Sequence, residues 1–386
     1  MHRLAEPVDL RGAQRPRLPV QRDVAVLPLT QQHQPAGVEV IAHLGLREHG
    51  PPQPGPHRRG EALRGGHLGG RRDHADPEAT QHAVLQVVAV GFGGSLGREG
   101  APRQLGAAIG LWFATKSGMT LDQQRTLLAC GAGAGLAAVY NVPLAGALFT
   151  LEILLVTFAV GDVLAAMSTS AIATAIAWIF LSDKPTYVVE PFDITASIVV
   201  FAILFGPVAG AGGALFTRLM DLAQAHAPTG WRLPVVTTVV FTAVGALAIP
   251  FPEVLGNGKG PAQLAFDAAA SLPLFAVLFV LKPVTTAACL ASGAKGGTLT
   301  PSLATGAMLG AALGGAWSSL WAGSSPGAFA LVGAAAFLAT THRAPMTAVV
   351  LVLELTHSGN ALLVPILVAV VSALVVSGHR PWTATT

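Results

Sequence analysis

The 386-residue chain is 52% hydrophobic and only 11% charged, with a mean hydropathy of +0.58. A soluble globular domain carries about 25% charged residues, so this composition excludes one and points to lipid as the solvent. A formal net charge of +3 says little about partners, and Cys130 and Cys289, both in apolar stretches, offer neither a disulfide framework nor metal-ligand spacing.

Residues 1–83 come first and read unlike the rest. They hold eleven Arg and no Lys, eight of the twelve His, nine acidic residues, and no Phe, Trp, Tyr or Ser. With no aromatics and few apolar runs, the stretch has little to offset the entropy of ordering a chain. No apolar h-region follows the start, and the lack of serine argues against an organelle transit peptide. Residues 1–83 are therefore expected to be an atypical Pro/Arg/His-rich segment, disordered or read out of frame, ahead of a membrane domain at 84–386.

Apolar runs then follow at 84–93, 104–115, 127–139, 143–160, 163–182, 194–217, 234–250, 273–293, 303–321, 326–340 and 346–377. Several fall short of the ~20 residues that a spanning helix needs, and Gly and Pro interrupt them. Short, broken segments are expected where helices end inside the bilayer and their termini line a site.

The first chemical motif is Gly97-Arg98-Glu99-Gly100, a glycine-rich turn opening the apolar helix that starts near Ala101. Free N–H groups and the positive dipole end make a helix N-terminus an anion site without a basic side chain. A carboxylate there can itself take the anion's place. Glu99 also admits a plainer reading, as an acid stabilised by its own helix dipole, but an ionisable group in so apolar a chain marks a pathway. Glu152 follows at the end of the next Gly-Ala-rich stretch.

The second half repeats the first. Residues 131–153 superpose on 333–355 with eight identities in 23 positions, including Pro143 on Pro345 and Glu152 on Glu354. A shift of 200 places Gly106, Ala107 and Gly110 on Gly306, Ala307 and Gly310, and sets the first turn against Gly296-Gly297-Thr298-Leu299-Thr300-Pro301. Two such halves, about 84–190 and 191–386, are the pattern of an internally repeated transporter with its site between them. By the same arithmetic the apolar residues 201–283 map onto the polar residues 1–83, so the first half lacks its opening helices. Translation of the coding DNA in its other two frames is expected to recover them.

The turns carry a resemblance. Gly97-Arg98-Glu99-Gly100-Ala101-Pro102 resembles the G-[KR]-E-G-P motif of the CLC family of chloride channels and chloride/proton antiporters, with the Pro displaced by one residue. Gly297-Thr298-Leu299-Thr300-Pro301 is similar to the family's G-x-F-x-P, and Tyr140-Asn141-Val142-Pro143-Leu144-Ala145-Gly146 with Leu151-Glu152 is similar to the segment between its two glutamates. The resemblance spans about residues 84–380. It implies an all-α inverted repeat of short, tilted and broken helices in the cell membrane, a homodimer with one pore per subunit, and chloride as the ligand. No cofactor or metal is expected, and no enzymatic activity.

By resemblance Glu99 is the gate, and the anion binds around Gly97, Arg98, Gly100, Gly297, Thr298, Leu299 and Thr300. Three departures stand out. The family's G-S-G-I-P serine is missing: its second-half counterpart is Gly256-Asn257-Gly258-Lys259-Gly260-Pro261, and nothing near Pro56–Gly60 resembles it. The family's late Tyr is also missing. Ile153 stands where the best-known antiporters carry a second glutamate. That last departure favours a gated chloride channel over proton-coupled antiport, with an inert fragment as the remaining alternative. Glu152 and Glu354, being symmetric, are expected to be structural, paired with Arg or helix termini. Lys282 and Lys295 flank apolar runs and are expected to snorkel to the membrane surface. His226, His342, His357 and His379 lie at loops or helix ends without metal spacing, and Trp231 and Trp382 suit interfacial anchors.

Overall fold

Helix lengths follow the broken hydrophobic pattern. The computed structural model describes residues 77–378 apart from 191–194, 322, 324 and 360. In chain order the α-helices are α1 (Pro77–Gly91), α2 (Gly100–Lys116), α3 (Leu121–Tyr140), α4 (Pro143–Phe149), α5 (Val160–Ala177), α6 (Ala196–Ala225), α7 (Arg232–Leu247), α8 (Lys259–Phe266), α9 (Leu272–Ala291), α10 (Leu299–Leu320), α11 (Pro326–His342), α12 (Pro345–Thr356) and α13 (Leu363–Val376). Among the described residues only α5, α6 and α9 are long and apolar enough to cross a membrane by themselves.

Several expectations change in detail. Residues 83 and 84 lie within α1, whose first described residue is Pro77. The rest of the segment 1–83, with its frame-shift reading, lies outside the described residues. The run 346–377 is two helices, parted at His357, whose left-handed φ of 48° ends α12. The run 143–160 holds α4 and then a π-helical turn, Thr150–Leu155, closed by Val156 at φ 53°. A positive φ is an outlier for a β-branched residue, and π turns are rare and frequent at functional sites. Glu152 lies in this one.

The repeat is visible in three dimensions. α1–α5 correspond to α9–α13, and in each half the glycine-rich helix packs on its successor, α2 on α3 and α10 on α11. A Cβ on Gly106 would strike the Gly131 carbonyl, and one on Gly306 would strike that of Gly333, so both pairs cross with backbones touching. α4 meets α12 where the halves join. α6 lies against α9, α10, α11 and α13, and its Phe201 packs on Phe329 at 4.6 Å between ring centroids. Cys130 and Cys289 are free and buried, as expected of small apolar side chains.

Candidate functional site

The two glycine turns meet. Gly97 N–H donates to the Gly297 carbonyl at 2.7 Å, and Gly297 N–H returns the bond to Gly97 at 3.0 Å. This antiparallel bridge joins residues 200 apart in sequence, so the pseudo-twofold axis of the repeat runs between them. α2 and α10 start from the bridge, one on each side.

Glu99 is the N-cap of α2 but makes no side-chain cap to its own helix. Its carboxylate, fully buried, crosses to the other half. Oε1 accepts from Leu299 N–H at 2.8 Å and Thr300 N–H at 3.3 Å, and Oε2 accepts from Thr300 Oγ1 at 3.1 Å and Tyr140 Oη at 3.5 Å. A buried carboxylate is costly unless donors surround it. Here it lies on the first turn of α10, where N–H groups have no helical partners. Its negative charge also meets the positive end of that helix dipole. Glu99 thus stands at the N-terminus of α2 while its carboxylate is held by the N-terminus of α10.

The expected residues divide by role. Leu299 and Thr300 hold the carboxylate, and Thr298 is the N-cap of α10. Gly97 and Gly297 do not offer their amides, which are bonded to each other. Their contribution is room, since a Cβ on either would collide with the Glu99 carboxylate. Gly100 makes room for Gln86, whose amide donates to the Gly97 carbonyl at 2.9 Å. Arg98 reaches outward, its guanidinium 5.4 Å from the centre of the Tyr140 ring.

Glu152 and Glu354 form a reciprocal pair of caps. Glu152 accepts from Met346 N–H at 3.0 Å and Thr347 N–H at 2.7 Å, at the start of α12. Glu354 accepts from Leu144 N–H at 3.0 Å and Ala145 N–H at 2.8 Å, at the start of α4. Each satisfies N–H groups that its partner helix cannot, and Pro143 and Pro345 open those helices without a donor to lose. Both carboxylates thus pair with helix termini, as symmetry suggested.

Lys282 does not snorkel. α9 continues past Pro283 to Ala291, leaving Lys282 in mid-helix and 1% exposed. Its ammonium donates to the carbonyls of Val254 at 2.9 Å and Gly256 at 2.7 Å. It thereby holds the glycine loop before α8 against α10, where a Cβ on Gly258 would lie 2.9 Å from Ala304. Among the described residues no group of His, Cys, Asp and Glu is arranged to hold a metal.

Sequence reasoning missed three contributors. Ser95 bonds Thr285 and Thr286 of α9 at 3.0 and 3.3 Å, fixing the first turn. Arg103 folds back onto the Glu99 carbonyl at 3.1 Å, with its guanidinium over the Phe149 ring. Tyr140 ends α3 with its hydroxyl 3.0 Å from that of Thr300. Its place at the end of a repeated Gly-Ala helix, opposite His342, was the available signal.

The family model described as Voltage gated chloride channel matches residues 64–378. A relative in Ralstonia nicotianae, whose name reads "chloride channel protein ClcB-like", is 34% identical over 306 residues, 76% of this chain and 70% of its own length. The H(+)/Cl(-) exchange transporter ClcA of Vibrio campbellii is 32% identical over 304 residues, 75% of this chain and 64% of its own. The chain thus spans about two thirds of the length of these relatives. Among solved structures, a slow cyanobacterial Cl-/H+ antiporter superposes with a TM-score of 0.69 at 25% identity, covering 78% of this chain and 73% of that one.

Proposed function

The chain belongs to the voltage-gated chloride channel family, with its all-helical membrane fold, and we propose that it exchanges chloride for protons across the cell membrane through a pathway gated by Glu99. The observation that carries this reading is the Glu99 carboxylate seated on the amides of Leu299 and Thr300. A bound carboxylate is one negative charge with acceptor lone pairs, and chloride offers the same to the same donors. While Glu99 is ionised and seated, the anion is excluded. When it takes up a proton its hold on the α10 terminus weakens, the side chain leaves, and chloride enters. One residue then couples the proton to the anion.

The direction of this proposal departs from the sequence expectation of a passive channel. Ile153 removes one carboxylate relay, which favoured conduction, but several relatives are named exchange transporters and the similar solved structure is titled an antiporter. Glu152 caps α12, leaving Glu99 as the carboxylate on the anion's route.

Purified protein in liposomes decides between them. An outward chloride gradient should drive protons inward against their own gradient, and Glu99→Ala should abolish the proton movement while chloride still flows. Chloride flux without proton movement in the unaltered protein would establish the channel reading. No flux from folded protein would defeat both.

A further inference from the structure

Resting on the chloride reading above, we propose that the phenol of Tyr140 is a ligand of the permeant anion, acting as one of a hydroxyl pair with Thr300. The chain has two tyrosines in 386 residues. One of them, 5% exposed, places its hydroxyl 3.5 Å from Glu99 Oε2 and 3.0 Å from Thr300 Oγ1. The backbone amides of Leu299 and Thr300 serve one carboxylate oxygen and the two hydroxyls serve the other. Each hydroxyl has one proton to donate, and both face the same point. An anion replacing the carboxylate inherits two amide and two hydroxyl donors. Without the hydroxyls, half of its coordination would be apolar.

The position of Tyr140 is fixed from behind. Helix α3 ends there because Asn141 turns left-handed at φ 57°. The Asn141 side chain is held by Trp178 Nε1 at 2.9 Å and Asp183 at 2.8 Å, and Thr186 Oγ1 donates to the Tyr140 carbonyl at 3.1 Å. A ligand held this way loses little entropy when it binds. On its other side the ring lines a cavity of about 300 Å³ shared with Arg98, Lys184 and Lys259. Tyr140 therefore stands between a cation-lined entrance and the gate. Arg98 over the ring face draws electron density from it and strengthens the phenol as a donor.

The repeat gives an internal contrast. His342 occupies the equivalent position in α11, but its Nε2 pairs with Ser302 Oγ at 3.3 Å, part of a turn further along α10. The hydroxyl pair is a property of this half alone.

The test is a calorimetric chloride titration of the full chain in Glu99→Ala, with the competing carboxylate removed. Adding Tyr140→Phe, which keeps the ring and deletes the donor, should weaken chloride binding about tenfold, the scale of one hydrogen bond to a charge. Thr300→Val should do likewise, and the double change should fall short of the sum because both hydroxyls serve one ion. A second readout does not depend on a variant at 140 folding. With 3-fluorotyrosine incorporated and Tyr187→Phe in place, the single fluorine resonance should move with chloride and saturate in step with the calorimetry. Chloride affinity within twofold after Tyr140→Phe, or a fluorine signal indifferent to chloride, overturns the inference and leaves the gating account standing. Absence of chloride binding to Glu99→Ala itself overturns both.

Discussion

Helices α2 and α10 are copies of one design in two settings. Both start at the Gly97–Gly297 bridge and press glycines onto the next helix. α10 is enclosed by α6, α8, α9 and α11, and Leu303, Thr305 and Met308 are at most 1% exposed. Among the described residues α2 packs chiefly on α1 and α3, and Leu105, Ile109 and Trp112 are each more than half exposed, whereas Thr305 and Leu309, the counterparts of Leu105 and Ile109, are buried. An apolar groove of about 570 Å³ runs between α1 and α2. The counterparts of α6–α8 would fall near residues 1–66, outside the described part. The lesson is that the two turns and their two helices are what both halves share among the described residues, and the site is built on them.

The largest effect expected from this contrast is in packing. Leu303→Ala should cost about 2 kcal/mol or more, because the cavity left among close-packed helices cannot collapse. Leu105→Ala, on the open face, should stay within about 0.5 kcal/mol. Unfolding in detergent monitored by circular dichroism compares them, and equal losses would mean that α2 is covered as α10 is.

Next come the reciprocal caps. Glu152→Ala and Glu354→Ala should each destabilise by about 1–3 kcal/mol, since each orphans two N–H groups at a helix start. The two losses should match to within about 1 kcal/mol on the same scale. Stability unchanged in either variant, with transport lost, would make that carboxylate a relay instead of a cap. The smallest effect belongs to the rim: Asp122 and Arg125 approach only to 4.0 Å and are both more than half exposed. Arg125→Ala should change the midpoint of unfolding by an amount worth less than about 0.5 kcal/mol, and a larger loss would reveal a partner on that face.

Much of this was legible in the sequence. The shifts of 200 and 202 mark the repeat, and the first of them sets Gly97 against Gly297. Glu99 could be singled out because an ionisable group in an apolar chain needs a reason. What escaped depends on distance in sequence. Tyr140 reaches Thr300 across 160 residues, and nothing local in α3 distinguishes a tyrosine facing lipid from one facing the Glu99 carboxylate. Lys282 was misplaced because run lengths cannot say which flanking lysine has carbonyls waiting inside. Glycine roles were half legible: that Gly97 and Gly297 matter follows from their register, but bonding to each other while clearing space for a carboxylate is a tertiary fact. The π turn at Glu152 leaves no mark in hydrophobic periodicity, and the repeat does not announce it either, since the counterpart around Glu354 is ordinary α-helix.

The central claim is that the Glu99 carboxylate occupies an anion's seat on the first turn of α10. Crystals of Glu99→Ala grown in bromide test it most directly, because anomalous scattering locates the ion without reference to side chains. The account predicts a bromide peak in the place of the carboxylate, within hydrogen-bonding reach of the Leu299 and Thr300 amides and the Thr300 hydroxyl. Bromide bound elsewhere along the chain, with that seat empty, would contradict it.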